Sequence, residues 1–182
     1  MRTYISILRG INVSGQRKIK MADLAQLYRS LNCSEVITYI QSGNVIFKSD
    51  GNAEILAAEI ELAIFKEFGF EVPVQVFELI QFVKVYNSNP FVNDRHEDIA
   101  VLHATFLSEK PDDKLLTEIR TDPKSADEFI VAGQTIYLFC PNGYGRTKLT
   151  NTFFETKLKT RATTRNWKTI GKLIELASGM GV

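Results

Sequence analysis

VITYIQSGNVIFK, residues 36–48, holds two runs of β-branched and aromatic residues on either side of a Ser-Gly-Asn turn. Glycine and asparagine tolerate the positive φ of a tight reversal, so the stretch predicts a β-hairpin. Apolar residues recur at helical spacing before and after it, over residues 21–31 and 53–68. The hairpin is therefore expected to lie between two helices.

The outer segments of the first half are predicted to be strands. Residues 3–8 form one apolar run, and residues 72–77 form another that contains Pro73. Proline cannot donate a hydrogen bond to a neighbouring strand, so the strand at residues 72–77 is predicted to lie at a sheet edge. The resulting order, β-α-β-β-α-β, is that of the split βαβ, ferredoxin-like arrangement, whose last strand is an edge strand.

The second half repeats this order around another hairpin, EFIVAGQTIYLFC, at residues 128–140. The other predicted elements are a helix at 78–86, a strand at 100–107, helices at 111–119 and 148–158, at most a short fourth strand near 160–163, and a last helix containing Trp167. We therefore predict an α+β fold with two ferredoxin-like (βαββαβ-type) subdomains, the second followed by a C-terminal helix. The alternative is one continuous mixed sheet with helices on one face.

The predicted domain boundaries follow from this order. Residues 1–77 form the N-terminal ferredoxin-like subdomain, and residues 78–99 form a linking helix and loop. Residues 100–182 form the C-terminal ferredoxin-like subdomain together with the terminal helix.

Bulk composition excludes several classes of protein. The 182 residues carry 22 Lys+Arg against 21 Asp+Glu, a net charge of +1, so global charge makes no case for nucleic acid. Cys33 and Cys140 stand far apart and form no C-x-x-C pair, which fits two buried thiols in a reducing compartment. No segment approaches the roughly 18 apolar residues of a membrane span, and the first residues hold no apolar signal core. We expect a cytoplasmic protein that does not bind membranes.

Local charge is uneven along the chain. The opening loop, residues 9–20, carries four cations and no acid, and residues 143–172 carry eight cations against Glu155 alone. Residues 50–71 are acidic instead, with six acids against Lys66. Both basic segments lie on turns at the ends of elements, where binding groups usually occur. A solvated surface is the alternative for each.

The stretch PNGYGRTKLT, residues 141–150, lies between a predicted strand and a predicted helix. Its glycines allow backbone amides to approach an anion, a helix N-terminus adds partial positive charge, and Arg146 and Lys148 add full charges. The Walker pattern and G-x-G-x-x-G are both missing, so the stretch shares only the logic of a phosphate-binding loop. A purely structural connector is the alternative.

The stretch ATTRNWKT, residues 162–169, precedes the last predicted helix. Thr163 or Thr164 is expected to cap that helix, which places Arg165 near its N-terminus, where the dipole disfavours a cation. Such an arginine indicates an acidic partner within the protein or an external anion. Trp167 is expected to be a core anchor, with stacking on a ligand ring as the alternative.

Catalytic and metal-binding patterns are missing from the sequence. His96 and His103 fit no zinc spacing, and Ser42 lies in a hairpin turn rather than in a G-x-S-x-G elbow. The aromatic layout of RNA-binding ferredoxin-like sheets is missing too. We therefore predict no metal and no cofactor, and leave the catalytic residues unassigned.

Six short segments occur along the chain in a fixed order: LRGINVSG (8–15), KIKMADL (18–24), TYIQSGNVIF (38–47), NPF (89–91), KL (148–149) and TTRNWKT (163–169). Together and in this order they resemble a known bacterial family, the domain-of-unknown-function 1697 proteins. The resemblance covers nearly the whole chain and implies a cytoplasmic α+β protein with two ferredoxin-like subdomains, but it supplies no function. The sequence departs from the family pattern at Ser14, where a second glycine is usual, and at Thr147, where serine commonly precedes Lys-Leu.

The family motifs and the charge argument indicate similar positions. The predicted ligand-binding residues are Arg9, Gly10, Asn12, Lys18, Ser42, Asn44, Arg146, Lys148, Thr164, Arg165 and Asn166. The leading hypothesis is a binding module in which these segments converge into one basic cleft between the subdomains. Its partner would be an anionic small molecule, such as a nucleotide or phosphometabolite, or a nucleic acid backbone.

Two other functions fit the same segments, and the oligomeric state is left open. In the first, the protein is an enzyme that acts on a phosphorylated small molecule, with Arg9, Lys148 and Arg165 clamping its charge. In the second, it is a structural or interaction protein whose motifs only clasp the subdomains. The asparagines of the motifs, Asn12, Asn44 and Asn166, would then serve turns and caps.

Overall fold

The first four strands form one antiparallel sheet. In the computed structural model, which describes residues 1–119 and 124–180, these strands are β1 (Arg2–Leu8), β2 (Ser34–Tyr39), β3 (Asn44–Ser49) and β4 (Val74–Glu78). Their order is β2-β3-β1-β4, and each neighbouring pair is antiparallel. Pro73 directly precedes β4, and the predicted edge position of that strand is confirmed.

Two helices cover this sheet, α1 (Met21–Ser30) and α2 (Ala53–Phe68). The Asn52 side chain caps α2 by accepting a hydrogen bond from the Glu54 amide at 2.8 Å, and Gly69 ends the helix with a φ of 78°. The buried residues of α2 recur every four positions, at Leu56, Ile60 and Ile64. They share one core with residues of α1, β1 and β3, because every element presents its apolar face to the same layer.

The second sheet repeats the strand pattern of the first. Its strands are β5 (Leu102–Leu107), β6 (Glu128–Ala132), β7 (Thr135–Phe139) and β8 (Ala162–Asn166), in the order β6-β7-β5-β8. Two helices, α5 (Asp113–Glu118) and α6 (Asn151–Leu158), belong to the same half of the chain. β8 is a full five-residue strand rather than the short one predicted near 160–163, since its β-branched threonines suit a sheet and it pairs with β5 along its whole length.

The remaining helices are α3 (Leu79–Asn87), α4 (Pro90–Asn93) and α7 (Trp167–Ser178). The predicted α+β class with two ferredoxin-like subdomains is confirmed, and the alternative of one continuous sheet is wrong because the strands form two separate sheets. Across the described residues, no helix combines the length and the apolar character needed to cross a lipid bilayer.

The chain divides into two compact units, Met1–Lys84 with Lys172–Val182, and Val85–Gly171. This division differs from the domains 1–77, 78–99 and 100–182 predicted from the sequence, and residues 85–99 of the predicted linker belong to the second unit. Most of α3 belongs to the first unit, and so does the end of α7. One contact that ties the C-terminal residues to the first unit is the hydrogen bond from Lys48 Nζ to the Met180 carbonyl, at 2.8 Å.

Candidate functional site

The opening loop lies directly against the turn of the first hairpin. The Leu8 amide donates to the Gly43 carbonyl at 2.8 Å, and the Arg9 amide donates to the Pro73 carbonyl at 2.9 Å. Gly43 has a φ of 81°, and a Cβ atom on it would lie 2.7 Å from Ile11 Cδ1. Only glycine fits this position, so the loop and the turn form one packed structure.

Asn12 holds the opening loop closed. Its Nδ2 donates to the Ile19 carbonyl and to the Gln41 carbonyl, both at 2.9 Å, and its Oδ1 accepts from the Ile19 amide at 2.9 Å. The Asn12 backbone amide adds a hydrogen bond to the Arg17 carbonyl at 3.1 Å. Both ends of the side-chain amide are thus engaged in joining the loop to itself and to the hairpin turn.

The tip of the loop is a tight reversal. The Gln16 amide donates to the Val13 carbonyl at 2.9 Å, and the two residues between them, Ser14 and Gly15, have φ values of 50° and 76°. Positive φ at both central positions favours glycine, asparagine and aspartate. Glycine adopts the positive φ of position 14 more readily than the serine present in this chain.

A depression of about 600 Å³ lies beside the loop, within the size range of small-ligand sites. Its lining residues come from the loop, the start of α1, the hairpin turn and the end of α2, namely Asn12, Gly15, Lys18, Ile19, Lys20, Met21, Asp23, Gln41 and Phe68. Two of these are cations, Lys18 and Lys20, and one is an acid, Asp23.

The N-terminus of α1 belongs to this depression. Its cap position is occupied by Lys20, whose backbone is extended and whose side chain makes no capping hydrogen bond. Met21 and Asp23 of the first turn line the depression. The first amides of a helix carry partial positive charge and seek acceptors, so this end of α1 favours an anion. Sequence reasoning missed this feature, although a lysine in place of the usual Ser, Thr, Asp or Asn was a visible signal.

The other predicted residues of the first unit belong to the framework of the loop and the turn. Asn44 is fully buried, and its Nδ2 donates to the Tyr39 carbonyl at 3.0 Å and to Ser42 Oγ at 3.1 Å, which fixes the hairpin turn. Gly10 has a φ of 72°, and the Arg17 guanidinium lies 3.4 Å from the place where a Cβ atom would stand. Arg9 is half-buried and is tied to Pro73 through its backbone amide.

In the second unit, Arg146 and Lys148 are exposed and precede a helix without belonging to its first turn. Arg146 ends a short 3₁₀ turn, and α6 begins only at Asn151 rather than at 148 as predicted. The reason is that Thr150 caps the helix, its hydroxyl accepting a hydrogen bond from the third amide of α6 at 3.2 Å. The stretch lies between a strand and a helix as predicted, but the helix starts three residues later than the predicted start near 148.

Thr147, which departs from the serine of the family pattern that the chain resembles, supports the turn before α6. The residue is buried, and its Oγ1 accepts a hydrogen bond from the Leu149 amide at 3.1 Å. A serine hydroxyl makes the same bond two residues along the chain, so the substitution leaves this turn intact.

Thr164 connects the two C-terminal motifs. Its hydroxyl lies 2.7 Å from Thr105 Oγ1 of β5 and donates to Asn151 Oδ1 at 2.6 Å. Asn151 directly follows the stretch 141–150, so both basic motifs of the second unit meet through side-chain hydrogen bonds. Thr164 lies in β8 and does not cap the last helix as predicted.

The placement of Arg165 predicted from the sequence is wrong. Arg165 lies in β8 opposite Ala104, with only 8% of its surface exposed, and its Nη1 donates to the Thr164 carbonyl at 3.0 Å. Burial lowers the pKa of its guanidinium to about 10, an effect that the Tyr144 hydroxyl partly offsets. The side chain stays charged at neutral pH, and it precedes the first turn of the last helix instead of belonging to it.

The last helix begins after Arg165 because Asn166 supplies its cap. Asn166 Oδ1 accepts a hydrogen bond from the Thr169 amide at 2.7 Å, the geometry of an N-cap. Trp167, the first residue of α7, is 2% exposed and stacks on Tyr86 with ring centroids 5.1 Å apart. The prediction that Trp167 is a core anchor is confirmed.

The shifted titratable groups of the described residues are mainly products of burial. Burial lowers the pKa of His103, with the Val101 carbonyl opposing the shift, and the ring stacks on Tyr144 at 4.8 Å. Burial also raises the pKa of the Cys33 and Cys140 thiols to about 11, and both are buried as predicted. Within the described ranges, no group of His, Cys, Asp and Glu side chains is arranged to hold a metal ion.

Comparison with known proteins supports the same fold. A family model described as "Protein of unknown function (DUF1697)" matches residues 1–137. The solved structure of a conserved bacterial protein from Streptococcus pneumoniae is similar with a TM-score of 0.75 and 24% identity, covering 97% of this chain and 98% of that one. At this identity the likeness concerns the fold alone. No curated protein matches the chain.

Proposed function

Because the chain belongs to the DUF1697 family, whose description assigns no activity, we propose a function from the geometry of the first unit: the protein binds a small phosphorylated ligand in the depression beside the opening loop. The observation that carries the proposal is the N-terminus of α1. It lacks a side-chain cap and lies in a depression that Lys18 and Lys20 also line.

The charges of the depression suit a phosphate group. Lys18 and Lys20 supply two positive charges, and the first turn of α1 supplies backbone donors and partial positive charge. Asp23 opposes them with one negative charge. Asp23 belongs to that same first turn, so its carboxylate offsets part of the positive charge that the two lysines supply.

The size and the walls of the depression favour a small molecule over a polymer. Ile19, Met21 and Phe68 provide apolar surface next to the cations, as expected for a ligand with a ring or carbon skeleton beside its phosphate. A nucleic acid backbone requires a long row of cations, because its affinity comes from neutralising many phosphates. Two lysines in one depression match a single anionic group better.

Hydrogen bonds within the protein hold the shape of the loop. Asn12 makes three side-chain hydrogen bonds within the loop and to the hairpin turn. A site that is already ordered loses little conformational entropy on binding, so more of the interaction energy appears as affinity.

Thermal-shift measurements with inorganic phosphate, nucleoside monophosphates and sugar phosphates test the proposal. A ligand that binds only the folded state stabilises it by about 2.7 kcal/mol at a concentration of one hundred times Kd. We expect at least one phosphorylated compound to raise the Tm of the wild type and of Lys84→Ala, which removes an exposed lysine of α3. The double variant Lys18→Ala/Lys20→Ala should lose about tenfold or more in affinity.

Two results would contradict this function. One is that no phosphorylated compound shifts the wild-type Tm. The other is that the Lys18→Ala/Lys20→Ala variant and the Lys84→Ala control bind equally well, which would move the site away from the depression.

A second candidate is the structural or interaction protein, and one specific observation favours it. The side-chain amides of Asn12, Asn44 and Asn166 all bond to backbone groups of turns or a helix start. If the motifs only support the fold, Asn12→Ala should lower the free energy of unfolding by about 1–3 kcal/mol and therefore lower the Tm. In that case no phosphorylated compound should bind the wild type. Three ideas from the sequence stay predictions. They are the enzyme function, the binding of a nucleic acid backbone, and the convergence of both units' basic segments into one cleft.

A further inference from the structure

Helix α2 is apolar on two opposite faces. One face carries the buried row Leu56, Ile60 and Ile64. The other carries Ile55, Leu62 and Phe65, which are 60%, 53% and 50% exposed, with the exposed Ala58 between them. At 3.6 residues per turn the second row lies on the side of the helix opposite the first.

The spacing of the exposed row is that of a helix-pairing seam. Residues 55, 58, 62 and 65 follow one another at intervals of three, four and three, the pattern of heptad a and d positions. The solvent-facing side of a surface helix is normally polar, because polar side chains interact favourably with water. Large apolar side chains at this spacing therefore need another explanation. Exposed apolar patches rimmed by charged residues mark interaction sites.

The rim of this seam is acidic. Glu59 and Lys66 lie along one edge, and Glu54 and Glu61 lie along the other, so three acids stand against one cation. Glu61 also accepts a hydrogen bond from the Val74 amide at 2.8 Å. The seam and the depression beside the opening loop share no residue.

We propose that the outer face of α2 is a docking surface for a basic amphipathic helix, one with apolar residues at heptad spacing flanked by Lys or Arg. Apolar side chains of the partner pack between Ile55, Leu62 and Phe65, and its cations face Glu54 and Glu59. The charge of the rim selects the partner, because opposite charges at the edges of a helix pair set partner choice.

A second copy of this chain fits the same surface less well. In the antiparallel register that pairs Ile55 with Phe65 and Ala58 with Leu62 of the second copy, the two Glu59 side chains come to the same edge near the two-fold axis. Like charges at that place disfavour self-association. The acidic rim therefore supports a basic partner rather than a symmetric dimer.

The test uses two fluorescein-labelled synthetic peptides of equal leucine and lysine content. One places leucine at every a and d position, and the other is scrambled so that no face is apolar. Fluorescence anisotropy should show that wild type binds the first peptide at least about tenfold more tightly than the second.

Variants of the protein distinguish peptide binding at the apolar seam from nonspecific attraction of the basic peptide to acidic residues. Ile55→Gln/Leu62→Gln should weaken binding of the amphipathic peptide by about tenfold or more. Ile80→Gln, which removes a 71% exposed isoleucine of α3, should leave binding unchanged. Glu54→Gln/Glu59→Gln should weaken binding and reduce its dependence on salt. Far-UV circular dichroism of each variant confirms that the fold is intact.

Several outcomes would overturn the proposal. These are equal binding of the two peptides, unchanged binding by Ile55→Gln/Leu62→Gln, or no binding by wild type. Sedimentation showing a wild-type dimer that Ile55→Gln/Leu62→Gln dissociates would also overturn it, because the seam would then belong to a second copy.

Discussion

Replacing Gly43 by alanine probes the contact between the opening loop and the hairpin turn. The added Cβ atom would stand 2.7 Å from Ile11 Cδ1 and 2.8 Å from Leu8 Cβ, at a φ of 81°. The left-handed backbone costs alanine about 1–2 kcal/mol. Forcing an extra methyl into a packed site costs about 1–3 kcal/mol more. We expect Gly43→Ala to lower the free energy of unfolding by about 2–5 kcal/mol, measured by urea unfolding followed by circular dichroism.

Gly69→Ala is the matched control. Gly69 has a similar φ of 78° and belongs to the same unit, but no atom lies within 4 Å of its Cβ position. Gly69→Ala should lower the free energy of unfolding only by the cost of the left-handed backbone, about 1–2 kcal/mol. Adding Ile11→Val, which removes the Cδ1 atom, should recover part of the loss in Gly43→Ala. If Gly43→Ala costs no more than Gly69→Ala, the loop does not pack against the turn.

Three further predictions concern buried side chains. Burial lowers the pKa of His103, so the unfolded chain takes up a proton first as pH falls through its ordinary value of 6.5. Stability should therefore fall as the pH drops below about 6.5. In urea melts, His103→Gln should make this fall smaller, whereas His96→Gln, at an exposed histidine, should not. Trp167→Ala should lower the free energy of unfolding by about 3–5 kcal/mol in the same assay, since it empties a packed site. Cys33 and Cys140 should react with iodoacetamide at neutral pH about a hundredfold more slowly in the folded protein than in urea, as mass spectrometry would show.

Much of the fold could be predicted because local signals agreed with the tertiary structure. Residues within a few positions of each feature determine four of them: the hairpin turn, the Asn52 cap, the end of α2 at Gly69 and the edge position of the strand after Pro73. Each signal has a backbone cause: positive φ, an unpaired helix amide or a missing donor. Strand order follows once these elements are placed, since connections between helices and strands are short and follow few patterns.

The segment at residues 162–166 could not be placed in the same way. Threonines before a tryptophan-led helix fit an N-cap as well as a strand, and the choice depends on β5, which is distant in sequence. The segment forms a strand because it pairs with β5. Arg165 therefore lies in a buried strand and not in the first turn of a helix. Because Arg165 is only 8% exposed, replacing it by alanine is expected to cost more stability than replacing a surface cation.

The candidate site was found only in part. Asn12 and Lys18 were predicted from sequence and line the depression, whereas Lys20, Asp23 and Phe68 were not predicted. Phe68 belongs to the end of α2, so its proximity to the loop depends on how that helix packs. Sequence charge located the loop, but the depression arises from packing between elements that are far apart along the chain.

The proposal that the depression binds a phosphorylated ligand is tested most directly by backbone amide chemical shifts during titration with the best compound from the thermal-shift measurements. We expect saturable shifts centred on the amides of residues 12–23 and Gln41, and we expect these shifts to be lost in Lys18→Ala/Lys20→Ala at the same ligand concentration. Saturable shifts centred on the second unit, with the opening loop and the first turn of α1 unmoved, would contradict it.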